Sequence, residues 1–430
     1  MNSAISKYVA PVRLFKSKLR TSMLAIFFLL SFSTLKYLPS MFLTAEIWFI
    51  AVFIFLVLVY FPKIAIHKYY PSPFEKYGFF LLIYVPLVSA FMASAEFGQP
   101  WIYSILAQRG LVLVGCMLIF LSFYRKGAFS LGDVERALLW LAWISLILCT
   151  LVVLFLDPRQ FVDIPTFVVG VGDDLKFVLP TTFLVFGLFY YVFSSFWQNS
   201  LRNLCLALLF FGYLIFGSGG RTQILAVIFS CLFFVIRWRS KSRLLVFLSR
   251  VSFIILLLIS IACVSNSKKL TFLKEKFYSA YMVVLTAEKG SDISANSRID
   301  QSNIALPYVK KNFMLGNGLI SHQWNGGYKS LFDYFHPSDV GLLGIMYLYG
   351  VVGLFVYAYQ FRFALQYSKR LPNHGGKWGN LICAVRGILF YYAITSLVTG
   401  QFVHSVGTLL IFIAILYSAS MEKIPSAIGK

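Results

Sequence analysis

The chain has 430 residues, of which 59% are hydrophobic and only 13% are charged, and its mean hydropathy is +0.78. A soluble domain of this size cannot bury so much apolar surface, so a lipid bilayer is the expected solvent. The apolar runs are continuous rather than alternating, which excludes a transmembrane β-barrel and predicts an all-α, polytopic helix bundle.

The net charge of +22 would suggest a nucleic acid partner in a soluble protein. Here Lys and Arg flank the apolar runs, as the positive-inside bias requires. Membrane lipids with anionic headgroups are therefore the expected partners of most of these charges, and no nucleic acid is expected. An anionic substrate is a second, weaker implication.

Runs of membrane-spanning length predict about twelve transmembrane helices. The first is expected to remain uncleaved, because its apolar run ends in Lys36-Tyr37-Leu38-Pro39 without a small-residue cleavage site. The spans divide the chain into nine helices in 1–264, a large loop at 265–340, and three helices with a tail in 341–430. The predicted spans are 21–38, 41–61, 79–96, 104–124, 137–156, 178–197, 203–218, 222–237, 247–264, 341–360, 381–398 and 401–419.

The distribution of positive charge gives the expected orientation. With the N-terminus in the cytoplasm, the short loops predicted inside are basic, whereas the outer loop at 157–177 is acidic. Both termini are then cytoplasmic, and the 265–340 loop faces outwards as the one large water-exposed segment. We find no internal repeat, which counts against a transporter built of two similar halves.

The first group of chemically useful residues lies between the seventh and eighth predicted spans. Gly219 and Gly220 let the backbone approach a ligand, and Thr222 can cap the following helix. Arg221 adds a permanent cation suited to phosphate oxygens. A tight turn with a snorkelling arginine explains the same spacing equally well.

The second group begins at Arg298, about twenty residues before Gly316-Asn317-Gly318. The residues between them predict an amphipathic helix on the membrane surface, capped by Asn296-Ser297. The alternative is that Arg298 is simply a solvated charge at a helix start.

The third group is His336-Pro337-Ser338-Asp339, directly before the glycine-rich tenth span. A histidine can take a proton near neutral pH and a carboxylate can orient it, which suits a general base acting on a sugar hydroxyl. An aspartate that caps the helix beside a surface histidine is the alternative. His322 is a rival for the histidine role.

Charges inside membrane spans are costly and are usually either paired or functional. Glu46, Arg109, Arg386 and His404 fall in this class, and Glu46 can pair with either arginine. The six cysteines are single and lack metal-like spacing, so we predict no disulfide and no metal site. A P-loop, a Rossmann fingerprint and a serine nucleophile elbow are also absent from the sequence, and no cofactor is expected.

Together these features resemble the O-antigen ligase/polymerase family of bacterial inner-membrane proteins. The resemblance rests on SGGRT at Arg221, on a large late loop that opens with Arg298, and on a histidine, His336, before a glycine-rich span. The topology matches across nearly the whole chain, and the motifs cover its second half. The closing motif in the family often reads His-Asn, whereas Pro337 follows the histidine here.

The resemblance implies a metal-independent glycosyltransferase whose active site faces the periplasm and whose donor is an undecaprenyl-diphosphate-linked oligosaccharide. Arg221 and Arg298 would bind the diphosphate, and His336 would help to activate an acceptor hydroxyl. Further substrate-binding candidates are Gly219, Gly220, Thr222, Asp339 and His322.

Three functions fit to different degrees. The first is a polymerase of repeat units for O-antigen, capsule or exopolysaccharide, with a chain-length regulator and a flippase as expected partners. The second is a ligase that transfers the finished glycan to lipid A-core, which uses the same chemistry and the same motifs. The third is a transporter of lipid-linked glycan, which the late outer loop and the missing repeat disfavour.

Overall fold

The computed structural model describes residues 2–32, 34, 42–65, 70–164, 167–169, 175–218, 220–237, 293–333, 335–372 and 378–422. The predicted ninth span (247–264), the first part of the predicted loop (265–292) and Gly219 lie outside the described residues. The described part is helical apart from one short antiparallel pair of strands, β1 (Val168–Val169) and β2 (Lys176–Phe177). The predicted all-α class is therefore confirmed, with this one small exception.

Nine helices precede residue 238 in the described part. Ser72 and Ser130 begin two of them with capping boxes, in which each serine side chain and an acidic residue three positions later satisfy each other's backbone N–H groups. The helices are α1 (Asn2–Ser31), α2 (Phe42–Ala65), α3 (Pro73–Phe97), α4 (Trp101–Ala107), α5 (Val114–Arg125), α6 (Leu131–Phe155), α7 (Thr182–Gln198), α8 (Leu201–Tyr213) and α9 (Arg221–Arg237).

Seven further helices lie between residues 293 and 422. They are α10 (Ile293–Lys311), α11 (Tyr328–Phe332), α12 (Gly341–Ala358), α13 (Gln360–Arg370), α14 (Gly379–Thr399), α15 (Gln401–His404) and α16 (Val406–Glu422). Short 3-10 turns at Arg109–Leu113, Pro158–Phe161 and Pro337–Val340 join some of the elements, and a π-helical turn at Leu214–Ser218 follows α8.

The centre of the bundle is formed by α14 and α16. Helix α14 packs against α7, α9, α12 and α16, and every residue from Val406 to Ser420 in α16 is buried. A helix that is apolar and buried on all sides belongs to the core of the bundle rather than to its lipid-facing rim. By contrast, α2 and α6 expose many large apolar side chains, as expected of helices that face lipid.

Among the described residues, four helical segments are long and apolar enough to cross a membrane, or five if the bent pair of α4 with Arg109–Arg125 is one span. The four are Pro73–Phe97, Leu131–Phe155, Pro337–Arg370 and Gly379–Thr399. They support a membrane location. The predicted total of about twelve spans stays a prediction.

Several predicted spans are not continuous helices. The 104–124 span bends by 45° around Gln108, and the 401–419 span breaks at Ser405. The first helix ends at Ser31, seven residues before the predicted end of its span. The hydropathy of the sequence correctly predicted that these segments are apolar. It does not reveal a break in a helix, because such a break is stabilised by other parts of the chain.

The most consequential break lies in α12 at Gly350, whose φ of 65° and ψ of −172° are not helical. Two helical hydrogen bonds across this position are therefore missing. In an apolar surrounding, each unpaired backbone group costs several kcal/mol, on the order given by transfer energies. The groups that lose their helical partners are the carbonyls of Tyr347 and Leu348 and the N–H groups of Val351 and Val352.

The segment Phe313–Gly318 supplies new partners for all four groups. Its own carbonyls accept from the two N–H groups, and its own N–H groups donate to the two carbonyls. The bonds are Asn317 N to Tyr347 O (2.7 Å), Gly318 N to Leu348 O (2.9 Å), Val351 N to Phe313 O (2.9 Å) and Val352 N to Met314 O (3.2 Å). The loop segment therefore completes the broken helix.

Glycines make this close approach between backbones sterically possible. A Cβ on Gly316 would lie 2.5 Å from the backbone nitrogen of Gly350, and a Cβ on Gly318 would lie 2.6 Å from that of Ala93. Gly316 and Gly318 also have φ of 71° and 77°, which other residues rarely adopt. The predicted Gly316-Asn317-Gly318 turn is thus a buried docking segment, and the expectation of a wholly water-exposed loop is wrong at this point.

We expect Gly316→Ala to destabilise the protein far more than Gly98→Ala. Both glycines have positive φ, but a Cβ at Gly98 would meet nothing within 4 Å. Gly98→Ala, the control, therefore loses only the stability that backbone strain costs, roughly 1 kcal/mol. Gly316→Ala has the same strain and also pushes the docking segment away from α12. Thermal unfolding of the purified protein measures both, and equal losses of stability would contradict the docking role.

Candidate active site

The described part of the predicted loop, 293–340, is tied to the bundle at two further points. At the end of α10, the Lys311 ammonium lies 2.6 Å from Glu96, and the Asn312 amide donates to the same carboxylate at 3.0 Å. Next to it, the buried amide of Gln99 accepts from the N–H of Ser321 at 2.8 Å and donates to the carbonyl of Leu319 at 3.1 Å.

A cluster of aromatic rings fills the space between these anchors. The rings meet mostly edge to face, with centroids separated by 4.9 Å for Phe335 and Tyr347 and by 5.3 Å for Tyr308 and Phe332. Burial raises the pKa of Tyr328, so its phenol stays protonated. Its oxygen accepts from the N–H of Ile320 at 3.2 Å. The described part of the loop is therefore a packed extension of the bundle.

Arg298 lies on α10, the helix predicted between it and the glycine turn. The helix begins five residues earlier, so Asn296 and Ser297 lie inside it and the predicted cap at these residues is wrong. The Arg298 side chain is half-buried, and within the described residues its guanidinium forms no ion pair. It is thus a fixed cation without a carboxylate partner in that part of the chain.

His336 is brought to α10 by a direct hydrogen bond. Its backbone N–H donates to Oε1 of Gln301 at 2.9 Å, and Nε2 of Gln301 donates to Ser297 at 3.0 Å. Gln301 is almost fully buried and lies one helical turn after Arg298. The two ends of the predicted loop motif are therefore adjacent, with the histidine exposed to solvent.

The 3-10 turn at Pro337–Val340 explains how the sequence tolerates a proline here. Pro337 is the first residue of the turn, where a missing N–H has no consequence, and it is buried against α12. Asp339 does not cap α12, whose first residue follows Val340 without a side-chain cap. The Asp339 carboxylate instead accepts from the Ser338 hydroxyl at 3.3 Å.

Arg221 is the first residue of α9, and the carbonyl of Gly220 accepts the first helical hydrogen bond, from Ile224, at 3.0 Å. Thr222 is therefore inside the first turn, and the prediction that it caps the helix is wrong. A Cβ on Gly220 would lie 3.0 Å from Oε1 of Gln223, so a larger residue at this position would require the Gln223 side chain to move.

The start of α9 and the turn at Pro337–Val340 both lie near the last turns of α14. Helix α9 packs along α14, and its first turn shares a cavity with Thr395 and Thr399. The turn at Pro337–Val340 packs on α14 as well, and Gly341 lies against the carbonyl of Leu397. The fold thus brings Arg221 to the same end of α14 as the turn that carries His336.

His322 occupies a different place. It lies in the turn that follows Ser321, which Gln99 anchors to the corner of α3 and α4. In the described residues, no hydrogen bond, ion pair or ring contact joins His322 to Arg298 or His336. The rival histidine is thus not brought into the group by any described contact.

Three of the four intramembrane charges form hydrogen bonds or an ion pair with named groups of the bundle. Glu46 pairs with Arg109, with oxygens 2.9 and 3.0 Å from Nε. Arg386 donates to three carbonyls at the end of α13, at Ser368, Leu371 and Pro372, which is where a helix favours a cation. The sequence left the choice of partner for Glu46 open, and the fold pairs it with Arg109.

A cavity of about 520 Å³ lies beside the first turn of α9. Most of its polar lining residues carry hydroxyl groups, which no sequence pattern had indicated because they come from distant segments. Its polar lining includes Glu46, Arg109, Thr181, Thr182, Thr222, Gln223, Tyr391, Tyr392, Thr395, Thr399, Gln401, His404 and Ser405. Arg298 and His336 are not among the lining residues.

Residues 206–358 match the family model described as O-Antigen ligase. This match supports the assignment of the chain to the O-antigen ligase/polymerase family. The matched segment of the O-antigen ligase domain runs from α8 to the end of α12 and contains Arg221, Arg298 and His336. Members of the family are membrane enzymes of the glycosyltransferase type. The comparison with curated proteins gave no match.

We expect Gln301→Leu to loosen the His336 turn without unfolding the bundle. The N–H of His336 loses its acceptor, which lowers the local free energy of opening by about 1–3 kcal/mol. Hydrogen–deuterium exchange should accelerate at residues 335–340. Gln323→Leu, at an exposed position in the described part of the loop, should leave that exchange unchanged. Unchanged exchange in both variants would contradict the anchoring role of Gln301.

Proposed function

We propose that the protein is a polymerase that transfers glycan from undecaprenyl diphosphate to a sugar hydroxyl of another lipid-linked repeat unit. The repeat units belong to O-antigen, capsule or exopolysaccharide. The family match supports a ligase or polymerase type of function, and the outward-facing loop predicted from the charge pattern supports an active site at the periplasmic face of the inner membrane.

In this proposal, Arg221 and Arg298 hold the diphosphate of the donor. The bond between the sugar C1 and the diphosphate oxygen breaks, and the oxygen leaves with the electron pair. The negative charge that develops on the leaving group is stabilised by the two cations. Arginine suits this role, because its planar fork matches two phosphate oxygens at once.

His336 acts on the acceptor. Its imidazole takes the proton of the acceptor hydroxyl while the hydroxyl oxygen forms the new bond to C1. Gly219, Gly220 and Thr222 then lie beside the diphosphate at the start of α9, where backbone N–H groups favour anions. Asp339 accepts from Ser338 rather than orienting the imidazole, so we assign it a supporting role in the turn.

One observation carries the proposal. The hydrogen bond from the backbone N–H of His336 to Gln301 holds the backbone of His336 beside a residue one helical turn after Arg298, and the same turn packs on the end of α14 that α9 also contacts. A base and two cations held by three separate elements, two of which pack on the same helix, are an arrangement suited to transfer from a diphosphate donor.

We expect Arg298→Ala to reduce polymerisation by about 10²–10³-fold, because one of the two fixed cations at the leaving group is lost. Purified protein supplied with lipid-linked repeat units should then form no ladder of longer glycans. Arg202→Ala, at an exposed arginine in the first turn of α8, is the matched control and should leave the ladder intact. Normal ladders from the Arg298 variant would reject the proposed site.

The alternative function is a ligase that transfers the finished glycan to lipid A-core. The matching family model is described as O-Antigen ligase, which supports this alternative. A deletion strain separates the two. Loss of a polymerase leaves single repeats attached to the core, whereas loss of a ligase leaves long glycan on the lipid carrier. We propose a flippase and a chain-length regulator as functional partners in the polymerase case only.

A further inference from the structure

The cavity beside α9 differs in charge from the proposed diphosphate site. Among its described lining residues, the only Arg, Lys, Asp or Glu side chains are Arg109 and Glu46, and these two form an ion pair. Their opposite charges cancel, so the cavity offers no surplus cation for a phosphate. A diphosphate binds best where cations outnumber carboxylates, and it is therefore a poor ligand for this space.

The same lining fits a sugar. A saccharide carries many hydroxyl groups, each of which donates one hydrogen bond and accepts others, so it needs a wall with both donors and acceptors. Thr182 and Tyr392 present paired hydroxyls 3.0 Å apart, and the amide of Gln401 lies 2.9 Å from Ser405. The Arg109–Glu46 pair is partly exposed, with donors and acceptors side by side.

The size and aromatic content of the cavity agree with this ligand class. Its volume of about 520 Å³ lies within the usual range for small-molecule sites. Tyr391 and Tyr392 supply aromatic rings, on which the apolar C–H face of a sugar ring can pack. The lining thus combines hydroxyls, amides and rings without net charge.

The position of the cavity indicates which sugar residue of the donor it binds. Thr222 and Gln223 line it, and they directly follow Arg221, the proposed diphosphate ligand. A sugar joined through C1 to the diphosphate must lie next to that group. His336, which acts on the acceptor in the proposed mechanism, does not line the cavity, so the acceptor approaches from another side.

We propose that this cavity is the donor saccharide subsite and that it binds the sugar residue linked directly to the diphosphate of the lipid carrier. The proposal rests on the proposed function, since it takes Arg221 as the diphosphate ligand. It adds a specificity determinant that is formed largely by residues outside the three sequence motifs.

The test compares two probes on the full-length protein in lipid nanodiscs. One probe is undecaprenyl diphosphate, and the other is the undecaprenyl-diphosphate-linked repeat unit extracted from cells that lack this protein. We expect the double variant Thr182→Val/Thr395→Val to weaken binding of the sugar-bearing probe by about thirtyfold, since each of the two lost hydrogen bonds contributes roughly 1 kcal/mol. Binding of undecaprenyl diphosphate should not change.

Two further variants serve as controls. Thr21→Val removes a hydroxyl that donates to the carbonyl four residues earlier, just as Thr395 does, but it lies outside the cavity. It should change neither affinity. Thr182→Ser/Thr395→Ser keeps both hydroxyls and should restore binding of the sugar-bearing probe, which separates loss of the hydroxyls from a loss of folding.

The outcomes distinguish this inference from the proposed function. Equal weakening of both probes by the valine variant, or no weakening of either, would overturn the saccharide subsite. Arg221→Ala should weaken both probes. If it weakens neither while the valine variant weakens only the sugar-bearing probe, the diphosphate role of Arg221 fails and the saccharide subsite stands.

Discussion

The rest of the structure depends on the break in α12 and on the segment that completes it. A helix interrupted at Gly350 inside an apolar bundle is stable only if another part of the chain satisfies the freed backbone groups. Phe313–Gly318 does so with four hydrogen bonds. Because these bonds involve backbone atoms on both sides, the register between loop and helix is fixed independently of most side chains.

The docking of Phe313–Gly318 on α12 determines where Arg298 and His336 lie. Helix α10 leads directly into the docking segment, and the turn at Pro337–Val340 leads directly into α12. Once the segment is docked, Arg298 and His336 are held by the two elements on either side of it, and Gln301 joins them. The loop can then hold Arg298 and His336, the proposed cation and base, at defined places, as catalysis by positioned groups requires.

The sequence predicted the helical class and a helix between Arg298 and the glycine turn, because these follow from local spacing. It did not predict the burial of Asn317, since a polar Gly-Asn-Gly sequence has the composition of an exposed turn. Its burial depends on carbonyls thirty residues away, at Tyr347. The hydroxyls around the cavity were missed for the same reason, because Thr182 and Thr395 lie far apart in the chain and are ordinary residues of apolar helices.

The central proposal is that Arg221 and Arg298 bind one diphosphate. A double-mutant cycle with Arg221→Ala and Arg298→Ala, read as kcat/KM for glycan transfer, tests it most directly. We expect the double variant to lose little more than the worse single variant, since residues that act as one unit are strongly non-additive. Losses that multiply would show two independent sites and contradict the account.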